Sequence, residues 1–157
     1  MNIQTIKEIL PKSDLYVTYE IIQKGWSFDT KFKLKDRNNK YYLLRVSNIK
    51  EYEHKKYEYD ILNHSSLQDV NIIKPFEIGK TLDEQYCYTL SKWIDGQDLE
   101  NIINQYPIDI QYKLGYEAGQ ILRQIHSIEI QTDKIWGNIY QNKINKKTQI
   151  VMRSRPL

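Results

Sequence analysis

Residues 41–47, YYLLRVS, decide the fold. A nearly continuous run of strand-forming apolar residues suits a central strand buried on both faces. Its single charge, Arg45, then calls for an anionic partner. Working outward, residues 31–35 (KFKLK) alternate lysine with apolar side chains, the period of a half-buried strand, and residues 36–40 (DRNNK) supply turn formers between the two. Residues 16–23 (YVTYEIIQ) are β-branched and aromatic, and KGWSFDT (24–30) interrupts before the alternation begins. The pattern predicts three successive antiparallel strands.

Residues 51–64 (EYEHKKYEYDILNH) are dominated by helix formers, and a helix is predicted over 50–64 with Tyr52, Tyr59 and Leu62 as its packing stripe. NIIKPFEIG (71–79) and YCYTLSKWI (86–94) have strand composition. Pro75 marks an edge position, and Gly79 is read as opening a turn toward Asp83 and Glu84. A short packing helix over 3–10 is closed by Pro11. After IDGQD (94–98) the pattern changes to helices, LENIINQY (99–106) and then 109–127, where Ile110, Leu114, Ala118, Ile121, Leu122 and Ile125 share a face. The reading is an α+β fold. A five-stranded antiparallel sheet with one helix fills residues 1–94, and residues 95–157 form a hinge and the first helices of a second lobe.

Composition narrows the function. With 40% hydrophobic and 27% charged residues, the 157-residue chain is an ordinary globular one. The net charge of +3 is small and interspersed, so it makes no case for nucleic acid. The basic run Lys143, Lys146, Lys147, Arg153 and Arg155 reads as a solvated face or tail. Cys87 is the sole cysteine, which excludes an internal disulfide, and His54, His64 and His126 are scattered rather than set at metal-ligand spacing. No apolar run approaches the ~20 residues of a membrane span, and MNIQTIKEIL does not read as a signal peptide, so a cytoplasmic location is expected.

QKGWSFDTKFKLKD (23–36), YYLLRVS, EYEHKKYEYDIL (51–62), YTLSKWIDGQDL (88–99) and YEAGQILRQIHSI (116–128) follow one another in an order and spacing that resemble the landmarks of the aminoglycoside phosphotransferase family. The resemblance implies a protein-kinase-like small lobe. The loop bearing Gly25, Trp26, Ser27, Phe28 and Thr30 would cover the nucleotide phosphates with its backbone N–H groups. Arg45 would stand where most kinases place a lysine that meets the α and β phosphates, and Glu58 on the helix would hold it. Backbone groups of Lys92 and Ile94 would meet the adenine edge at the hinge. The implied ligands are ATP or GTP with Mg²⁺, and a small-molecule hydroxyl acceptor such as an aminoglycoside. The residues themselves leave plainer readings open. A loop with one glycine serves as a hairpin turn, Arg45 with Glu58 as a structural ion pair, and Tyr88 and Trp93 as packing aromatics. Asp98 suits a helix cap, although with Asp95 it would also attract a cationic substrate, and His126 reads as structural.

The catalytic loop of that family, roughly H-G-D-x-x-x-x-N, and the metal-binding aspartate of its I-D-F or I-D-W segment do not occur in this sequence. Phosphoryl transfer needs both. The expectation is therefore the nucleotide-binding lobe of a phosphotransferase truncated before its catalytic loop, with no catalytic residue and no metal ligand of its own, and with bared helix faces prone to self-association. The alternative is a non-catalytic kinase-like binding or regulatory module.

Overall fold

The computed structural model describes residues 1–25, 27–64, 67, 70, 72–127 and 144. Its five strands are β1 (Tyr16–Ile22), β2 (Thr30–Asp36), β3 (Tyr41–Asn48), β4 (Pro75–Lys80) and β5 (Tyr86–Lys92). They form one antiparallel sheet in the order β1-β2-β3-β5-β4. β3 is central, and β4 lies at an edge, where the missing N–H of Pro75 costs no ladder bond. Among residues 1–127 the described α-helices are α1 (Ile3–Ile9), α2 (Tyr52–Leu62), α3 (Leu99–Ile102) and α4 (Ile108–His126). Met1 to His126 form one compact unit.

The sheet separates two environments, because a strand sends successive side chains to opposite faces. One face carries Phe32, Leu34, Leu44, Val46, Tyr88 and Leu90, all buried, and α1 closes it with Ile6 and Leu10. Asn2 starts that helix, its Oδ1 accepting the Thr5 N–H at 2.8 Å, and Pro11 ends it. The other face takes the alternate residues Lys31, Lys33, Leu43 and Arg45, paired Lys31 with Arg45 and Lys33 with Leu43 across β2 and β3. β3 is thus only partly buried on this face: Leu43 and Arg45 are half-buried there, and Ser47 alone is buried. The apolar character of Tyr41 and Leu43 hides that difference between the faces in the sequence.

The turns follow their residue types. In the β2–β3 hairpin, Asp36 Oδ1 accepts the N–H groups of Asn38 (2.8 Å) and Lys40 (2.9 Å), while Asn39 takes the left-handed conformation with φ 60°. Gly79 lies inside β4 rather than at the following turn, which is built by Thr81, Asp83 and Glu84. A β-carbon on Gly79 would come within 2.8–2.9 Å of the Tyr88 ring and hydroxyl, its cross-strand partner. α2 follows a 3₁₀ turn opened by Asn48, whose Oδ1 accepts the Lys50 N–H. α4 starts and ends within a residue of expectation, and its half-buried positions include Ile110, Leu114, Ile121 and Ile125.

Candidate functional site

On the polar face of the sheet, β3 supplies Arg45 and Ser47, α2 supplies Lys55 and Glu58, and the loop between β1 and β2 supplies Asp29. All five converge. Asp29 Oδ2 accepts from Arg45 Nε at 3.0 Å and from Arg45 Nη2 at 2.5 Å, and lies 3.2 Å from Lys55 Nζ. Its Oδ1 accepts from the Ser47 hydroxyl at 2.7 Å. The carboxylate is 8% exposed, Lys55 12% and Arg45 36%, so the cluster is shielded on the protein side and open through Arg45. Burial pushes the Asp29 carboxyl upward, but the Ser47 hydroxyl, the Arg45 guanidinium and Lys55 outweigh it and hold the group below the usual carboxylate range.

This arrangement corrects the expected pairing of Arg45 with Glu58. Among the described residues the ion-pair partner of Arg45 is Asp29, and Glu58 stands instead 3.4 Å from Lys55 and 3.5 Å from His54. The reason is geometric. Lys55 sits one helical turn before Glu58 and is the deeper side chain, so it meets Glu58 at i,i+3 and fills the space between helix and strand. Arg45 and Glu58 nevertheless line one cavity of about 120 Å³ with Lys55, Leu43 and Ser91.

The loop residues are placed as follows. Gly25 has φ +112°, a conformation that favours glycine, and a β-carbon there would stand 2.7 Å from Lys31 Nζ, which donates to the Lys24 carbonyl at 3.1 Å. Ser27 is exposed and Phe28 projects wholly into solvent. Thr30 opens β2 opposite Val46. Trp26 lies outside the described residues. At the base of the loop Lys24 forms an ion pair with Asp98, which also caps α3 by accepting the Glu100 N–H at 3.0 Å. That pair raises the Lys24 ammonium and lowers the Asp98 carboxyl from their ordinary values.

Lys92 ends β5 opposite Tyr42, and the Trp93 N–H donates to the Tyr41 carbonyl at 3.0 Å. Ile94, the next residue, is exposed. Lys92 and Ile94 line a second concavity of about 360 Å³, and Ile73 and Pro75 line both it and the Arg45 cavity. The cations thus stand in the first cavity, and the shared Ile73 and Pro75 join it to the concavity beside Lys92 and Ile94 at the end of β5. Lys33 Nζ stands 4.7 Å from the ring centroids of both Tyr41 and Trp93 nearby, so Trp93 is held by a cation rather than packed in the core. Tyr88, by contrast, is a buried packing residue.

A cavity of about 350 Å³ on the opposite face lies among the segment that follows α1, the β2–β3 turn and β4. Its two carboxylates are already engaged, Asp36 with the Tyr42 hydroxyl at 3.0 Å and Glu77 with the Tyr88 hydroxyl at 2.6 Å. Burial, with Glu77 nearby, pushes the Tyr16 hydroxyl beside it up to about 12. These groups brace the fold, and the chemistry-bearing side chains lie across the sheet.

Asp29, Ser47 and Lys55 were not singled out by sequence reasoning. An aspartate in a turn-rich loop has many ordinary uses, and a serine and a lysine carry no signal until the register of β3 and the phase of α2 are known. Among the described residues no group of three His, Cys, Asp or Glu could hold a metal ion, and no helix is long and apolar enough to cross a membrane. A family model described as phosphotransferase enzyme family matches residues 18–142, well over half of the chain. No curated protein matches it.

Proposed function

The chain belongs to the phosphotransferase enzyme family, and we propose that it carries that family's nucleotide-binding lobe, taking ATP or GTP with its Mg²⁺ along the polar face of the sheet. One observation carries the reading: Arg45, Ser47 and Lys55 point donors at the two oxygens of one carboxylate, that of Asp29 at the end of the Gly25 loop. A cluster of two cations and a hydroxyl fits a phosphate, for which charge-assisted donors are the natural ligands. The Ile73–Pro75 side of the groove suits a base, and Lys92 and Ile94 offer the backbone edge. The Mg²⁺ belongs to the nucleotide in this reading and is held by no residue named here. In the full reaction the acceptor would be a hydroxyl of an aminoglycoside or similar small molecule, with the group that orients it supplied from outside the sequence given.

Thermal melting tests this. Millimolar MgATP or MgGTP should raise the melting temperature of the chain, and Arg45→Ala should remove most of the rise. No shift with either nucleotide in the folded wild type would refute the reading. The absence of an H-G-D-x-x-x-x-N segment from the sequence favours a second reading, a kinase-like module that binds without turnover. Mg²⁺-dependent phosphate transfer by this chain to kanamycin-like acceptors would exclude that second reading and would equally overturn the expectation of a lobe with no catalytic residue of its own.

A further inference from the structure

The Asp29 carboxylate is held in the manner of a bound phosphate group. Two cations and one hydroxyl, drawn from β3 and α2, give four donors to its two oxygens. It sits at the end of the loop that the nucleotide reading places over the phosphates, one residue before β2. Its neighbours Ser27 and Phe28 are both exposed, so neither side chain is packed where it would hold the loop down. Among the described residues, the bonds to Asp29 are therefore what fasten this part of the loop to the sheet.

We propose that Arg45, Ser47 and Lys55 are one oxyanion site, and that Asp29 is its resident anion in the ligand-free chain, displaced when a phosphate enters. The proposal rests on the nucleotide reading above for the identity of the incoming phosphate, while the anion site itself rests on this geometry. The charges support it. Arg45 and Lys55 bring two positive charges, and Asp29 and Glu58 cancel both, so the resting cluster offers no net attraction to a polyanion. With Asp29 withdrawn, one positive charge and the full donor set are exposed. A chain that is binding-competent only while Asp29 is out shows an affinity reduced by the fraction of time it spends out. Asp29 thereby sets how much phosphate is needed to occupy the site, and Lys55 and Ser47 become phosphate ligands alongside Arg45.

The test compares wild type with Asp29→Asn, which keeps the shape and one acceptor but removes the charge, using titration calorimetry with inorganic tripolyphosphate and with MgATP. Asp29→Asn should bind tripolyphosphate on the order of tenfold more tightly than wild type, within the usual range of coupling between two ligands of one site. A double variant that adds Lys55→Met to Asp29→Asn should lose that gain. If Asp29→Asn melts at low temperature, Asp29→Ser serves as the second variant, since it too removes the charge without adding bulk. Equal or weaker tripolyphosphate binding by a folded Asp29 variant overturns the proposal, because Asp29 is then a tether that supports the site rather than its occupant. The two readings also fail separately. Tighter tripolyphosphate binding with no advantage for MgATP keeps the anion site and removes the nucleotide. Firm MgATP binding that Asp29→Asn leaves unchanged keeps the nucleotide and removes the resident anion.

Discussion

Replacing Gly79 with alanine sets two opposing effects against each other, and the structure says which wins. In an ordinary strand the change stabilises by roughly 0.4–1 kcal/mol, because alanine restricts the unfolded chain. Gly79 has no left-handed backbone conformation to forbid it. The added β-carbon, however, would lie 2.8 Å from the Tyr88 hydroxyl and 2.9 Å from two of its ring carbons. Tyr88 cannot swing away, since it is buried and its hydroxyl donates to Glu77 at 2.6 Å. Overpacking of this kind costs about 1–3 kcal/mol. The net is a loss of about 1–2 kcal/mol, or a melting temperature lower by roughly 2–8 °C for a chain of this size. The decisive measurement is a double-mutant cycle by urea denaturation. In a Tyr88→Leu background, where the ring is gone, Gly79→Ala should become neutral or stabilising. The same loss in both backgrounds, or a gain in the wild type, would refute the reasoning.

Ile6 is fully buried between α1 and the sheet, so Ile6→Ala should cost about 2–5 kcal/mol in a denaturant titration, showing that α1 is part of the core. Asp29 gives a pH signature. Its carboxyl is held below its unfolded value of about 3.9, so the stabilisation it provides is present above that pH and is lost as pH falls through the lower folded value. Melting temperature followed from about pH 5 downward should fall, and the same curve for Asp29→Asn should fall less steeply; parallel curves would contradict the assignment. Arg45→Lys should retain the charge but not the rigid fork of two nitrogens, and a nucleotide-induced melting shift smaller than that of wild type would register the loss.

The order of strands and helices was legible because each element announces itself locally. KFKLK shows its period in alternating lysines, DRNNK its turn, and Pro75 its edge. β3 was harder, since Tyr41 and Leu43 are apolar yet lie on the polar face, where Leu43 lines the Arg45 cavity. Gly79 was misplaced for a related reason: a glycine signals a turn as readily as it signals a ring packed across it, and only the register with Tyr88 distinguishes them. The choice of partner for Arg45 was beyond sequence reasoning. Glu58 and Lys55 are both on α2, and which of them reaches inward depends on the helix phase relative to β3, while Asp29 arrives from a loop whose path no periodicity encodes. Trp26 and the basic positions at 143, 146, 147, 153 and 155 lie outside the described residues.

The division of labour between the two faces of the sheet has a consequence for how such a chain can change over time. Ile6, Phe32, Leu34, Leu44 and Leu90 hold the lobe together from one side, while Arg45, Ser47 and Lys55 act from the other. Each strand therefore carries two interleaved messages at alternate positions, and one can be rewritten while the other stands. Exchanging the arginine for lysine, or moving an acid from helix to loop, rewrites the second message and leaves the apolar side chains beneath as they are.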